Sequence, residues 1–134
     1  MARILVDTSA VLALLDRSDD CHGAAKDTLD GLRRRRVEPF LTNFVVAESH
    51  ALALSRLGVE IARRWLLGNV WSIERVSEED ESRARSIIAG YTDKTFSYTD
   101  ATSFAIMERL GVKTVFAFDP HFRQFGFQVS GLKA

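Results

Sequence analysis

Strand-like and helix-like segments alternate along the chain, and this alternation restricts its fold more than any other feature. Short apolar segments rich in β-branched residues are typical of buried strands. They predict strands over residues 2–7, 38–43, 71–76, 113–119 and 126–129. Strands that are separated by helices become parallel neighbours through crossover connections. We therefore expect an α/β fold with a mostly parallel sheet that is covered by helices on both faces.

The helices between these strands are predicted from apolar spacing and from end signals. The segment "SEED" at residues 77–80 is a capping box, and it opens a helix that ends near Gly90. Gly58 separates two helices, and Gly111 ends a third. The predicted helices span residues 9–16, 20–36, 44–57, 59–69, 78–90 and 98–110.

The overall composition predicts one domain over residues 1–134. Eighteen basic residues balance eighteen acidic ones, so the net charge provides no broad attraction to a polyanion. No apolar run approaches the length that spans a bilayer, and no signal peptide is visible, so we expect a soluble, cytoplasmic protein with no membrane partner. Cys21 is the single cysteine, which excludes an internal disulfide and a cysteine-rich metal site.

Two surface-type segments leave alternatives open. The run Arg33 to Arg36 suits phosphate binding, but it also suits a solvated helix end, which we favour. The stretch "RRWLLGNVW", which contains Trp65 and Trp71, is more apolar than one short helix needs. This stretch either belongs to the hydrophobic core, which is slightly favoured, or forms a groove that binds a partner helix.

Four carboxylates occur where the predicted fold would bring them together. Asp7 and Asp119 each follow a buried strand, and the carboxyl ends of parallel strands share one edge of the sheet. Glu48 lies early in an apolar helix, and Asp100 lies in the first turn of another. All four side chains are therefore predicted to face one cleft at that edge.

Each of these acids also has a simpler explanation. Asp7 could cap the first helix, Asp100 has capping-box spacing after Ser97, and Asp119 precedes Pro120 in a typical turn. Glu48 is the hardest to explain in this way, because its helical neighbours are apolar. Together the four acids favour a functional site, since the simpler view requires four independent coincidences at one edge.

A cluster of carboxylates needs a countercharge, because like charges at short range raise one another's pKa. A divalent cation provides it, and ligation by oxygen alone selects Mg²⁺ or Mn²⁺ over zinc. The chemistry that such a site favours is phosphoryl transfer, in which the metal lowers the pKa of a bound water.

The same acids carry a family resemblance. The segments "ILVDTSAVLALLD", "NFVVAES", "FSYTDATSFAIMERLG" and "VFAFDPHFRQFGF" resemble the four acidic motifs of the PIN-domain family, and in particular its VapC-type toxin ribonucleases. The resemblance covers nearly the whole chain. It implies a three-layer α/β/α fold, Mg²⁺- or Mn²⁺-dependent cleavage of RNA, a homodimer, and a cognate antitoxin of a type II toxin–antitoxin system. It also implies that four acids are both catalytic residues and metal ligands, namely Asp7, Glu48, Asp100 and Asp119, and that Ser9 and Thr99 support them.

Other residues and other functions are less favoured. Asp93 beside Lys94 is typical of a solvated loop, and His121 could form a hydrogen bond near the site. An aspartyl-phosphate phosphatase would need a second aspartate two residues after Asp7, where this chain has Ser9. The remaining alternative is a non-catalytic PIN-like module that binds RNA or protein.

Overall fold

The computed structural model describes residues 2–131 and shows five parallel strands in the order β3-β2-β1-β4-β5. The predicted domain also includes residues 1 and 132–134, which lie outside the described part, so its full extent stays a prediction. The elements in chain order are β1 Arg3–Val6, α1 Thr8–Leu15, α2 His22–Arg34, β2 Glu38–Thr42, α3 Asn43–Leu57, α4 Val59–Gly68, β3 Ser72–Glu74, α5 Glu78–Gly90, α6 Tyr98–Leu110, β4 Thr114–Ala117, α7 His121–Phe125 and β5 Gln128–Gly131.

Side chains alternate between the two faces of the sheet, and each face is covered by helices. Leu5 and Val115 pack toward α5 and α6, where Phe104 is fully buried. Ile4 and Phe116 point to the opposite face and pack with residues of α1 and α2. Helices on both faces of the sheet confirm the predicted three-layer α/β/α architecture. They also explain the uninterrupted apolar strands, since strands that are buried on both faces carry apolar residues at successive positions.

The element order agrees with the prediction except for the short helix α7, which was not predicted, and several boundaries differ. The predicted last strand, 126–129, is instead Gln128–Gly131, because Gly126 is the C-cap residue of the short helix α7. Gly126 has a φ of 117°, a conformation that side chains with a Cβ rarely adopt. The strand predicted at 71–76 is only Ser72–Glu74, since it pairs with β2 alone at the edge of the sheet.

The order of the strands in the sheet favours one position for a ligand. The chain builds β1, β2 and β3 in one direction and then returns to place β4 on the other side of β1. Ligands of open parallel sheets bind at such a reversal, outside the carboxyl ends of the strands. No helix within the described residues is long and apolar enough to cross a membrane.

Candidate metal-binding nuclease site

Asp7 lies at the carboxyl end of β1, at the reversal of strand order. Its backbone N–H donates to the carbonyl of Phe116 at 2.9 Å, so the residue is held by the ladder to β4. Its side chain also caps α1, because Oδ2 accepts from the backbone N–H of Ser9 at 3.2 Å. The capping role and the site position therefore coincide in one residue.

Ser9 links Asp7 to the neighbouring strand end. Its hydroxyl donates to Asp7 Oδ2 at 2.7 Å and accepts from the backbone N–H of Phe118 at 3.0 Å. Asp7 is 4% exposed, and burial raises the pKa of its carboxyl to about 7, with the charge of Asp100 adding to the rise and the Ser9 hydrogen bonds opposing it. A carboxylate kept here in its ionised form therefore needs a positive charge nearby.

Asp100 enters the site from the first turn of α6. The predicted capping box with Ser97 is present, since Asp100 Oδ2 accepts from the backbone N–H of Ser97 at 3.0 Å. Burial raises the pKa of Asp100, and the charge of Asp119 raises it further, against the hydrogen bond from Ser97 and the contact with His121. As at Asp7, the helix-capping role does not exclude a role in the site.

Asp119 follows β4, and His121 connects it to Asp100. The backbone N–H of His121 donates to Asp119 Oδ1 at 2.8 Å. The ring nitrogen Nδ1 of His121 lies 2.9 Å from both Asp119 Oδ1 and Asp100 Oδ2, and Nε2 lies 3.1 Å from the hydroxyl of Thr95. One potential ligand atom from each of Asp100, Asp119 and His121 lies within 4.8 Å of the other two.

A cleft of about 320 Å³ joins these groups with Glu48 of α3. Glu48 is half-buried and lines the cleft, and like Asp7 it lies outside the close group of Asp100, Asp119 and His121. Thr99 lines an adjoining groove that it shares with Glu48, and its carbonyl accepts from the hydroxyl of Thr102 at 2.8 Å. The cleft is lined by Asp7, Thr8, Ser9, Leu12, Glu48, Leu52, Arg56, Ser97, Asp100, Asp119 and His121.

Comparison with known proteins assigns this architecture to a family. The sequence model of the PIN-domain family matches residues 4–128 of this chain. The chain belongs to the PIN-domain family. A curated relative from Mycobacterium tuberculosis, the "23S rRNA-specific endonuclease VapC20", is 32% identical over 130 residues, which is 92% of this chain and 95% of that protein. The "Ribonuclease VapC26" of the same species is 27% identical over 119 residues, 87% of this chain and 86% of that protein.

Solved structures agree with this assignment. The crystal structure of Mycobacterium tuberculosis VapC20, described as a "Sarcin-Ricin loop cleaving toxin", superposes with a TM-score of 0.82 at 31% identity and covers 92% of this chain and 95% of its own. FitAcB from Neisseria gonorrhoeae has a TM-score of 0.68 at 20% identity, covering 94% and 95% of the two chains, and supports the fold alone. The predicted membership of the VapC-type PIN toxins is confirmed.

The side chains of this PIN domain fit a divalent cation. Within the described residues, hydrogen bonds to Asp7 and Asp100 all fall on Oδ2, and those to Asp119 fall on Oδ1. Each of the three carboxylates therefore keeps one oxygen that accepts no hydrogen bond from residues 2–131. Oxygen donors that are partly desolvated and carry negative charge are the donors that a hard divalent cation prefers.

The PIN domain contains two site features that the sequence analysis missed or described incompletely. His121 was expected only near the site, whereas it contacts two of the carboxylates at once. Arg56 was not considered at all, yet it lines the cleft. Its spacing was a usable signal, because Glu48, Leu52 and Arg56 are four residues apart and therefore lie along one side of α3.

The stretch around Trp65 belongs partly to the core and also lines an apolar groove, and binding of a partner helix in that groove stays a prediction. Trp65 and Trp71 are partly buried against the α1–α2 side of the core. The same two side chains line an apolar groove of about 340 Å³ between α1, α2 and α4. Val70, which also lines the groove, is 91% exposed, and Leu67 of α4 is 77% exposed, so apolar surface remains uncovered in the single chain.

Proposed function

We propose that this protein is a metal-dependent endoribonuclease, the toxin of a type II toxin–antitoxin system. The observation that carries the proposal is the meeting of Asp7, Asp100 and Asp119 at the reversal of strand order, with one free oxygen on each carboxylate. Membership of the VapC-type PIN family supports the choice of RNA as the substrate. The alternative, a non-catalytic PIN-like module, is less favoured because all four acids are present and line one cleft.

In this proposal the acids that line the cleft, Asp7, Glu48, Asp100 and Asp119, would hold Mg²⁺ or Mn²⁺. Such an ion would supply the positive charge that lowers the pKa of a water molecule and neutralises a phosphate. Ser9 keeps Asp7 in place through its two hydrogen bonds, and His121 orients Asp100 and Asp119 relative to each other. Thr99 supports the neighbouring wall beside Glu48.

We propose ribosomal RNA as the first substrate to test. The relative VapC20 is described as specific for 23S rRNA and as cleaving the sarcin–ricin loop. That relative aligns with almost the whole chain.

The test is cleavage of purified ribosomal RNA in excess Mg²⁺ or Mn²⁺, in Ca²⁺, and in EDTA. We expect cleavage with Mg²⁺ or Mn²⁺, little with Ca²⁺ and none in EDTA. Asp7→Asn should abolish cleavage, whereas Asp93→Asn should not, because Asp93 is a loop carboxylate whose side chain is 76% exposed. Undiminished cleavage in EDTA would refute the metal-dependent mechanism. Metal binding without cleavage of any RNA would favour the non-catalytic alternative.

We further propose that an antitoxin helix covers the apolar groove beside Trp65. Amphipathic helices bind such grooves through their apolar face, and the exposed Leu67, which is not among the residues that line the groove, adds to the apolar surface of α4. A homodimer remains a prediction of the family resemblance, and sedimentation of the purified protein tests it. Cytoplasmic localisation likewise remains a prediction, which fractionation of the host cells tests.

A further inference from the structure

Arg56 differs from the other residues of the catalytic cleft in its charge. Among the described residues that line this cleft, it is the only arginine or lysine. It is exposed, and it forms no hydrogen bond or ion pair within residues 2–131. Elsewhere on the surface, arginines such as Arg64 and Arg83 are paired with glutamates. The positive charge of Arg56 is therefore available to a ligand of the cleft.

Phe44 occupies the other end of the same helix face. It lines a groove of about 560 Å³ that adjoins the catalytic cleft and shares Glu48 with it. Phe44 is half-buried, and its ring meets that of Tyr98 edge to face, with 5.7 Å between centroids. Such an arrangement fixes the aromatic ring without covering it completely.

These two residues lie on one continuous side of α3. Phe44, Glu48, Leu52 and Arg56 follow one another at intervals of four residues. Residues spaced in this way are neighbours along a helix surface, and twelve residues correspond to about 18 Å of helix. This side of α3 therefore extends from the aromatic ring of Phe44, past Glu48 and the acidic cluster, to the guanidinium of Arg56.

This order of groups matches the chemistry of a single-stranded nucleic acid. Aromatic rings bind bases by stacking, with little dependence on sequence. Arginine binds phosphate through a planar pair of donors, and it remains charged at all relevant pH values. A polyanion that approaches the carboxylates is repelled by them, so a cation on the rim helps to hold it.

We propose that single-stranded RNA lies along α3, with one phosphate bound by Arg56 and one base bound by Phe44, on opposite sides of the scissile phosphate near Glu48. The proposal rests on the proposed ribonuclease activity for the position of the scissile phosphate. Arg56 and Phe44 act here as positioning residues for the substrate. The substrate is then an unpaired loop or strand, because the face of a base within a duplex is already stacked on its neighbours and is not open to an aromatic ring.

The experiment measures binding of a fluorescein-labelled, single-stranded oligoribonucleotide of mixed sequence by anisotropy in EDTA, at several KCl concentrations. Arg56→Gln should weaken binding and reduce the slope of log K against log salt by about 0.7, the value for one phosphate contact to a single strand. Phe44→Leu should weaken binding by about fivefold while leaving the slope unchanged. Arg63→Gln is the matched control, because Arg63 is exposed on α4 and is not among the residues of the cleft.

A second measurement follows cleavage of the same oligonucleotide, or of ribosomal RNA, with Mn²⁺. Both Arg56→Gln and Phe44→Leu should raise KM more than they lower kcat, and thermal melts check that each variant is folded. An Arg56→Gln protein with the salt slope and the KM of wild type overturns the proposal, as does a Phe44→Leu protein with wild-type affinity and KM. Wild-type protein that binds RNA through Arg56 but does not cleave it would refute the nuclease function and leave this binding mode intact.

Discussion

Replacing Asp7 with asparagine tests whether the acidic cluster is destabilising without metal. Asparagine has almost the same shape, and its side-chain oxygen can still accept the hydrogen bond from the N–H of Ser9 that caps α1. The substitution therefore removes the ionisable group while it keeps the local geometry.

The expected magnitude follows from the pKa of Asp7. Burial raises this pKa from 3.8 to about 7 in the folded protein. Between these values the folded state binds a proton that the unfolded chain has already released, so the stability of the wild type falls as the pH rises through this window. At 1.36 kcal/mol per pKa unit, the loss above about pH 7 is at most about 4 kcal/mol. The asparagine side chain does not ionise, so the free energy of unfolding of Asp7→Asn does not fall in this pH window.

The assay is a set of thermal melts in EDTA between about pH 4 and pH 8. Near the lower limit, wild type and Asp7→Asn should melt at similar temperatures, and near the upper limit the variant should melt higher, by about 10 °C for the full effect. Asp93→Asn is the matched control, because it makes the same chemical change at an exposed carboxylate outside the cleft. A difference between wild type and Asp7→Asn that is the same at both pH limits would refute the reasoning.

Two further predictions concern the partner surface and the core. Leu67→Asp should abolish binding of the cognate antitoxin while ribonuclease activity is kept, and an unchanged affinity in a calorimetric titration would exclude this surface as the docking site. Arg109→Met should destabilise the protein by about 3 kcal/mol at neutral pH, because it leaves the 3% exposed carboxylate of Asp80 without its two hydrogen bonds from the guanidinium. Burial alone would raise the pKa of Asp80, but the bonds from Arg109 and Ser77 lower it overall, so this stabilisation exists above the ordinary pKa and is lost as the pH falls through the folded value. Urea unfolding of both proteins should therefore show the difference shrinking in acid, and a constant difference would contradict the assignment.

The local pattern of the sequence was sufficient to predict the fold class and most elements. Uninterrupted apolar segments such as Ile4 to Val6 identify strands that are buried on both faces, and the capping boxes at Ser77 and Ser97 begin helices where they were expected. These signals depend on contacts between residues that are close in the chain. The short helix α7 was missed, because five residues are too few for a periodic pattern.

The sequence by itself determined which acids stand at the ends of β1 and β4 and in the first turn of α6, since each position follows from a local pattern. Only the tertiary structure decided that His121 contacts Asp100 and Asp119 together, and that Arg56 lies on the rim of the same cleft. These contacts depend on how α3, α6 and α7 pack around the carboxyl ends of β1 and β4. The four-residue spacing within α3 places Arg56 on the side of Glu48, but only packing between elements distant in sequence brings that side to the cleft.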